Sequence, residues 1–193
     1  MEPNKILRAA KFAATCHKTQ KRDYPLVGTP IAVPYIYHVA RVAGMVATLI
    51  PEADEDDVSA AWCHDLYEDC QVTYNEVHNS FGRVVANLTM GLTSYTKRPG
   101  NEHLLKLPRE ERIKLNNEWT AKEPLRVRKI KICDRIDNLT DTLIYSTAKR
   151  ALRYADETEQ LINIAFKDVD KELYYRLYNL VDEIRKKYGR ETK

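Results

Sequence analysis

An all-α fold is what this chain predicts, on three observations. Apolar residues recur three and four positions apart along most of its length, Gly and Pro fall into short breaks between those stretches, and no alternating strand pattern is visible. With 193 residues, 44% hydrophobic and 31% charged, residues 1–193 are expected to form one water-soluble domain with its own core. No internal repeat or low-complexity tract argues otherwise.

The first helix is expected over Asn4–Gln20, with Ile6, Leu7, Ala10, Phe12 and Ala13 on its apolar side. Asp23–Pro34 carries Pro and Gly, cannot continue a helix and reads as a loop. A second helix follows over Pro34–Leu49. A third, Asp56–Asp69, opens on acidic residues that complement the helix dipole. Thr73 with Glu76 forms a capping-box pattern opening a helix with Val77, Phe81, Val84, Val85 and Leu88, which Gly82 interrupts only mildly. Lys97–Leu107, containing Pro99-Gly100, reads as an exposed loop beside a pocket. Further helices are expected over Arg109–Thr120, Leu125–Ser146, Ala148–Phe166 and Val169–Tyr188.

Composition narrows the function classes. The 31 basic and 28 acidic side chains give a net charge of +3, too near balance to make nucleic acid the main partner, although a small anionic substrate fits well. The basic stretch Arg185–Lys193 reads as a solvated helix end. No apolar stretch approaches a membrane span and the N-terminus lacks the apolar core of a secretion signal, so a cytoplasmic protein is expected. Cys16, Cys63, Cys70 and Cys133 show no zinc spacing and read as reduced thiols. No signal for an oligomeric state is present.

Four separated fragments carry side chains of metal-ligating type: His38, His64-Asp65, Glu68-Asp69 and Asp134. Phosphate-ester hydrolysis needs a hard cation, a bound water and a carboxylate to manage that water's proton. His64 and Glu68 are four apart, as are Asp65 and Asp69, so one helix would set each pair a turn apart, His64 and Asp65 gripping the metal and Glu68 and Asp69 addressing the water. Asp134, Asn138 and Asp141 share a face of a later helix among apolar Ile132, Ile136, Leu139 and Leu143. A carboxylate in such a position wants a cation. That cation could equally be the neighbouring Lys131 or Arg135 in a structural ion pair.

The ordered set of His38, His64-Asp65-x-x-Glu68-Asp69 and Asp134-x-x-x-Asn138 resembles the HD phosphohydrolase superfamily, and within it the hydrolase domain of RelA/SpoT proteins and the small alarmone hydrolases. The likeness runs from Ala9-Ala10-Lys11-Phe12-Ala13 and His17-Lys18-Thr19-Gln20 through Tyr37-His38 and Ala61-Trp62-Cys63-His64-Asp65 to Lys131-Ile132-Cys133-Asp134-Arg135. No synthetase half is expected. The resemblance implies that His38, His64, Asp65 and Asp134 bind one Mn²⁺, with Fe²⁺ or Zn²⁺ as alternatives, and that Glu68 and Asp69 position and deprotonate the attacking water. It implies a nucleotide substrate, guanosine tetra- or pentaphosphate, (p)ppGpp, losing its 3′-pyrophosphate. Around that substrate it points to Arg22 with Lys21 on the purine, Asn138 on the sugar and phosphate side, and Lys97, Arg150 and Tyr154 near phosphates or ribose.

Four departures bear on the mouth of the pocket: a longer loop between Gly28-Thr29-Pro30 and His38, Val39 where proline is typical, Asp23 where a basic residue is common, and Asp137 where His or Tyr is frequent. Two rival readings follow. One is another HD nucleotide hydrolase, acting on deoxynucleotides, nucleoside monophosphates or the 2′-phosphate of NADPH. The other is a non-catalytic nucleotide sensor.

Overall fold

A computed structural model describes residues 4–24 and 31–189. Its helices are α1 (Lys5–Cys16), α2 (Ile36–Leu49), α3 (Glu55–Cys63), α4 (Leu66–Asp69), α5 (Tyr74–Phe81), α6 (Arg83–Leu92), α7 (Arg109–Thr120), α8 (Leu125–Tyr145), α9 (Ala148–Ala165) and α10 (Lys171–Tyr188). Among the described residues the fold is all-α apart from one hairpin, β1 (Lys21–Tyr24) with β2 (Ile31–Pro34).

Local chemistry sets the helix ends. Asn4 caps α1 by accepting from the Leu7 N–H at 2.9 Å. Asp54 and Asp57 close a capping box on α3, and Thr73 with Glu76 closes the expected one on α5. Pro108 and Pro124 stand immediately before α7 and α8, where a missing N–H costs nothing.

Four expectations are corrected. The first helix stops at Cys16, so His17 to Gln20 form a turn that leads into the hairpin. That hairpin occupies part of the segment read as loop, with Arg22 opposite Val33 and Lys21 opposite Pro34; residues 25–30, which carry Gly28-Thr29-Pro30, lie outside the described residues. Gly82 does not merely weaken a helix but divides α5 from α6, at φ +92°, a conformation open to glycine and strained for other residues. The expected exposed loop after Lys97 holds a 3₁₀ turn at Glu102–Lys106.

The core is built around α8, which packs against α2, α6, α9 and α10. Val127, Ile130, Ile132, Cys133, Ile136 and Leu139 of α8 are buried there with Val42 and Val46 of α2, Leu161 and Ile162 of α9 and Leu173 and Leu177 of α10. Burying a side chain of this kind is worth about 1.5–3 kcal/mol. This packing holds the polar face of α8 rigidly against α2 and the α3–α4 corner. Among the described residues no helix is long and apolar enough to cross a membrane.

Candidate metal centre

The third expected helix is broken where the chemistry sits. α3 ends at Cys63, and His64 and Asp65 form a corner before the single turn of α4. The His64 ring explains the corner: its Nδ1 lies 2.8 Å from the Ala61 carbonyl, the acceptor that the Asp65 N–H would use in a continuous helix. The same bond assigns the proton to Nδ1 and leaves the Nε2 lone pair facing inward.

His38, buried in α2, is turned in the same sense. Its Nδ1 donates to Asp137 Oδ2 at 2.6 Å, and its Nε2 lies 3.2 Å from His64 Nε2. Asp65 Oδ2 is 2.9 Å from His64 Nε2 and 3.6 Å from His38 Nε2. Asp134 Oδ1, from α8, is 3.4 Å from His38 Nε2 and 3.8 Å from His64 Nε2. Ligand atoms of His38, His64 and Asp65 fall within 4.8 Å of one another. Two imidazole lone pairs and the Asp65 carboxylate gathered this closely, with Asp134 Oδ1 within 3.8 Å of both rings, repel unless protons or a cation lie between them. Bonds of ~2.0–2.2 Å from one divalent ion would span such separations, so the donor set fits a metal.

The electrostatics reflect this crowding. Burial disfavours the charged form of His38, yet its bonds to Asp134, Asp137 and Asp65 outweigh that and push the imidazole up to about 10. Burial works likewise against a charged His64, and the neighbouring Asp65 carboxylate raises it nonetheless. Asp65 and Asp134 would be raised by burial. Instead the two histidines, with Lys131 for Asp134, hold both well below the usual carboxylate range. Tyr35 donates to Asp65 Oδ2 at 2.5 Å, and burial followed by that carboxylate raises its phenol, keeping it a donor.

Sequence reasoning left the partner of Asp134 open between Lys131 and Arg135. Lys131 Nζ is 3.1 Å from Asp134 Oδ2. Arg135 instead lies over the Tyr154 ring at 4.8 Å. Asn138 donates to Asp134 Oδ1 at 2.6 Å, so the predicted shared face of Asp134, Asn138 and Asp141 is real.

Beside the cluster opens a cavity of about 380 Å³, largely polar, lined by Arg22, Tyr35, Asp65, Glu68, Lys97, Asn138 and Tyr154 among others. Glu68 accepts from the Lys97 ammonium and the Ser94 N–H, both at 2.6 Å. Burial disfavours the charged Lys97, but Glu68, Asp69 and Asp65 raise it. Asp69 is exposed and outside the cavity lining, accepting from Gln20 Nε2 at 2.8 Å, while Gln20 in turn meets His17 Nδ1 at 2.6 Å. The two carboxylates of Glu68-Asp69 therefore do not share one position.

Arg22 reaches Asp141 at 2.8 Å and Asn138 at 2.7 Å and lies 5.1 Å from the Tyr35 ring centroid. Lys21 and Arg150 are exposed and do not line this cavity: the pleat of the hairpin turns adjacent residues to opposite sides, and Arg150 stands in the first turn of α9. Sequence reasoning missed Asp137, Arg41 and Tyr35. A second aspartate three residues after Asp134, at a core position of a helix, was the available signal for the first. Asp137 is 4% exposed and accepts from both His38 and Arg41.

Comparison with known proteins agrees with this geometry. The HD domain family model matches residues 9–163. The Drosophila melanogaster guanosine-3′,5′-bis(diphosphate) 3′-pyrophosphohydrolase MESH1 is 30% identical over 137 residues, covering 71% of this chain and 69% of that protein. An Aquifex aeolicus protein with the same activity name is 32% identical over 94% of this chain, which spans only 26% of that longer relative. A solved structure, reported as a metazoan ortholog of SpoT that hydrolyzes ppGpp and plays a role in starvation responses, superposes with a TM-score of 0.79 at 26% identity and 98% coverage of both chains. The chain therefore belongs to the HD-domain family, in the RelA/SpoT-like branch of small alarmone hydrolases that holds MESH1 and the metazoan SpoT ortholog.

Proposed function

We propose that this protein is a metal-dependent nucleotide hydrolase that removes the 3′-pyrophosphate of (p)ppGpp, giving GDP or GTP and pyrophosphate. The observation that carries the reading is the clustering of His38 Nε2, His64 Nε2 and Asp65 Oδ2, with Asp134 Oδ1 3.4 and 3.8 Å from the two imidazoles, in a chain of this family. These four residues would hold the cation. Nitrogen and carboxylate donors together favour Mn²⁺, with Fe²⁺ or Zn²⁺ next, over Mg²⁺, which prefers all-oxygen shells. Such an ion supplies Lewis acidity, lowering the pKa of a water and countering phosphate charge.

The remaining work falls to the chain's own residues. Glu68 accepts the proton of the attacking water, and the Lys97 ammonium with the Ser94 N–H fixes the orientation of that carboxylate. Asp69, steadied by Gln20, adds negative charge behind Lys97. The water oxygen bonds to the phosphorus on the ribose 3′-oxygen, the bond between that oxygen and phosphorus breaks, and the 3′-oxygen leaves as a hydroxyl, taking up the proton that Glu68 accepted. Asn138 and Tyr154 line the ribose side, and Arg22 offers its guanidinium face to the base. Lys21 and Arg150 can contribute only long-range charge from outside the cavity. A diffusible nucleotide substrate and a cytoplasmic location complete the reading.

The test is metal analysis of the purified protein coupled to hydrolysis of ppGpp. About one divalent ion per chain and release of pyrophosphate with GDP are expected. Turnover of a deoxynucleotide or of the NADPH 2′-phosphate with ppGpp untouched would overturn the substrate assignment. Binding of ppGpp without turnover of any nucleotide would make the protein a sensor.

A further inference from the structure

We propose that a side pocket between α6, α7, α8 and α9 is a phosphate subsite, taking the outer phosphate of the pyrophosphoryl group that is transferred to water. Which group enters it rests on the function proposed above; that it binds an anion does not.

The pocket measures about 100 Å³, is lined mainly by polar groups, and shares Ser94, Lys131 and Arg135 with the main cavity. Lys131 marks the junction, since its ammonium is 3.1 Å from Asp134 Oδ2 in the ligand cluster while it lines the pocket as well. A phosphorus held at the cluster would thus place the next phosphate of a diphosphate over Lys131 and into this space. A monophosphate ester would leave it to water.

Two donors that line the pocket and one beside it are unspent. Arg135 Nε and Asn117 Nδ2 of the lining, and Arg112 Nε in the adjoining wall of the main cavity, are buried with no hydrogen-bond partner, and Asn117 is only 5% exposed. Among the described residues no ion pair engages Arg112 or Arg135, and Arg135 has only the Tyr154 ring beneath it. Buried donors of this kind normally find acceptors, and a guanidinium fork matches a phosphate in particular. The one carboxylate in the pocket lining, Glu157, is already engaged by Arg109 at 2.8 and 2.9 Å. The pocket and the cavity wall beside it therefore present one amide and two guanidinium nitrogens that no described residue satisfies.

The metal-loaded protein and its Arg112→Gln, Arg112→Lys and Arg135→Gln variants would be compared in two measurements: calorimetric binding of inorganic pyrophosphate, and kcat/KM on ppGpp, on guanosine 5′-monophosphate 3′-diphosphate and on guanosine 5′-diphosphate 3′-monophosphate. Arg112→Gln is expected to weaken pyrophosphate binding roughly ten- to a hundredfold, the scale of a lost charge-assisted hydrogen bond. Arg112→Lys should recover part of it. The kcat/KM penalty should follow the 3′-diphosphate and be small for the 3′-monophosphate. A penalty that follows the 5′-diphosphate instead would overturn the assignment, as would pyrophosphate binding indifferent to both arginines. Should Arg135→Gln not fold, Arg135→Lys takes its place beside the two Arg112 variants. Normal ppGpp turnover with unchanged pyrophosphate binding would sink the subsite and leave the function standing. Arginine-dependent pyrophosphate binding without ppGpp turnover would sink the function and leave the subsite.

Discussion

The two ends of the cavity treat charge in opposite ways. At the Arg22 end every charged group is tied to another: Arg22 to Asp141 and Asn138, Arg41 to Asp137 and Asp141, and Asp137 to the metal-facing His38. At the Arg112 end, buried nitrogens of Arg112, Arg135 and Asn117 have no acceptor. A network in which every donor is matched holds its members in place, while unmatched donors are the mark of a place meant for something else. One end is a frame for the ligands and the other a receptor for anion.

The largest effects should separate the residues that hold the cation from the one that handles the proton. Asp65→Ala removes a carboxylate between two imidazoles, so metal content measured by atomic emission should fall to background and turnover with it. Glu68→Gln should leave the metal content intact and cut kcat by about 10²–10⁴-fold, the usual worth of a positioned general base. Equal loss of metal from both variants would erase the distinction between cation holder and proton acceptor.

The cluster itself was legible in the sequence because residue type and order carry it: His38, His64-Asp65 and Asp134 are chemically unusual at helical core positions, and the structure brings them together. The helix break at His64 was not legible, because a side-chain nitrogen competing for the Ala61 carbonyl depends on the ring's rotamer and not on periodicity. The hairpin escaped because Lys21–Tyr24 and Ile31–Pro34 are four-residue strands interrupted by Pro and Gly, too short for alternation to register. Asp69 read as Glu68's equal because consecutive carboxylates look equivalent until Gln20, 49 residues away in sequence, claims one of them. The sequence offered Arg135 only as a possible ion-pair partner of Asp134 and gave no signal for Arg112, since only the packing of α7 on α9 and α9 on α8 shows them partly enclosed.

Within the matched end, Asp137 sharpens the idea of a frame. Asp137→Asn keeps the shape but weakens the acceptor that orients His38 and receives Arg41. Metal affinity by titration calorimetry should fall about 10–100-fold, the usual cost of losing such a supporting carboxylate, with kcat at saturating metal less affected. A variant with unaltered affinity would mean that packing alone holds the ring.

The pH dependence tests the same frame. Without metal, His38 is pushed up to about 10 by its carboxylate neighbours, against burial, so the proton it carries stabilises the apoprotein below pH ~6.5 in full and that contribution fades as pH rises through about 10. A cation must displace this proton. Apparent metal affinity is therefore expected to weaken by up to about tenfold per unit as pH is lowered from about 10 towards neutrality, with roughly one proton released per ion from this site. Calorimetry in two buffers of different ionisation enthalpy counts that proton, and a count of zero near pH 8 would mean that His38 is already neutral.

The smallest effect bears most directly on the contrast between the ends. Arg22 is spent on Asp141 and Asn138, and its side chain is 17% exposed. Arg22→Ala should therefore lower stability by about 1.5–3 kcal/mol, the range for hydrogen bonds to charged groups, and, on the function proposed above, raise KM. Arg112→Gln breaks no bond to a described residue, so chemical denaturation should find its stability within about 0.5 kcal/mol of the parent while pyrophosphate binding suffers. The two variants should thus fail in opposite assays. If Arg112→Gln unfolds as readily as Arg22→Ala, its guanidinium is bound up in the fold after all, and the two ends of the cavity are the same kind of surface.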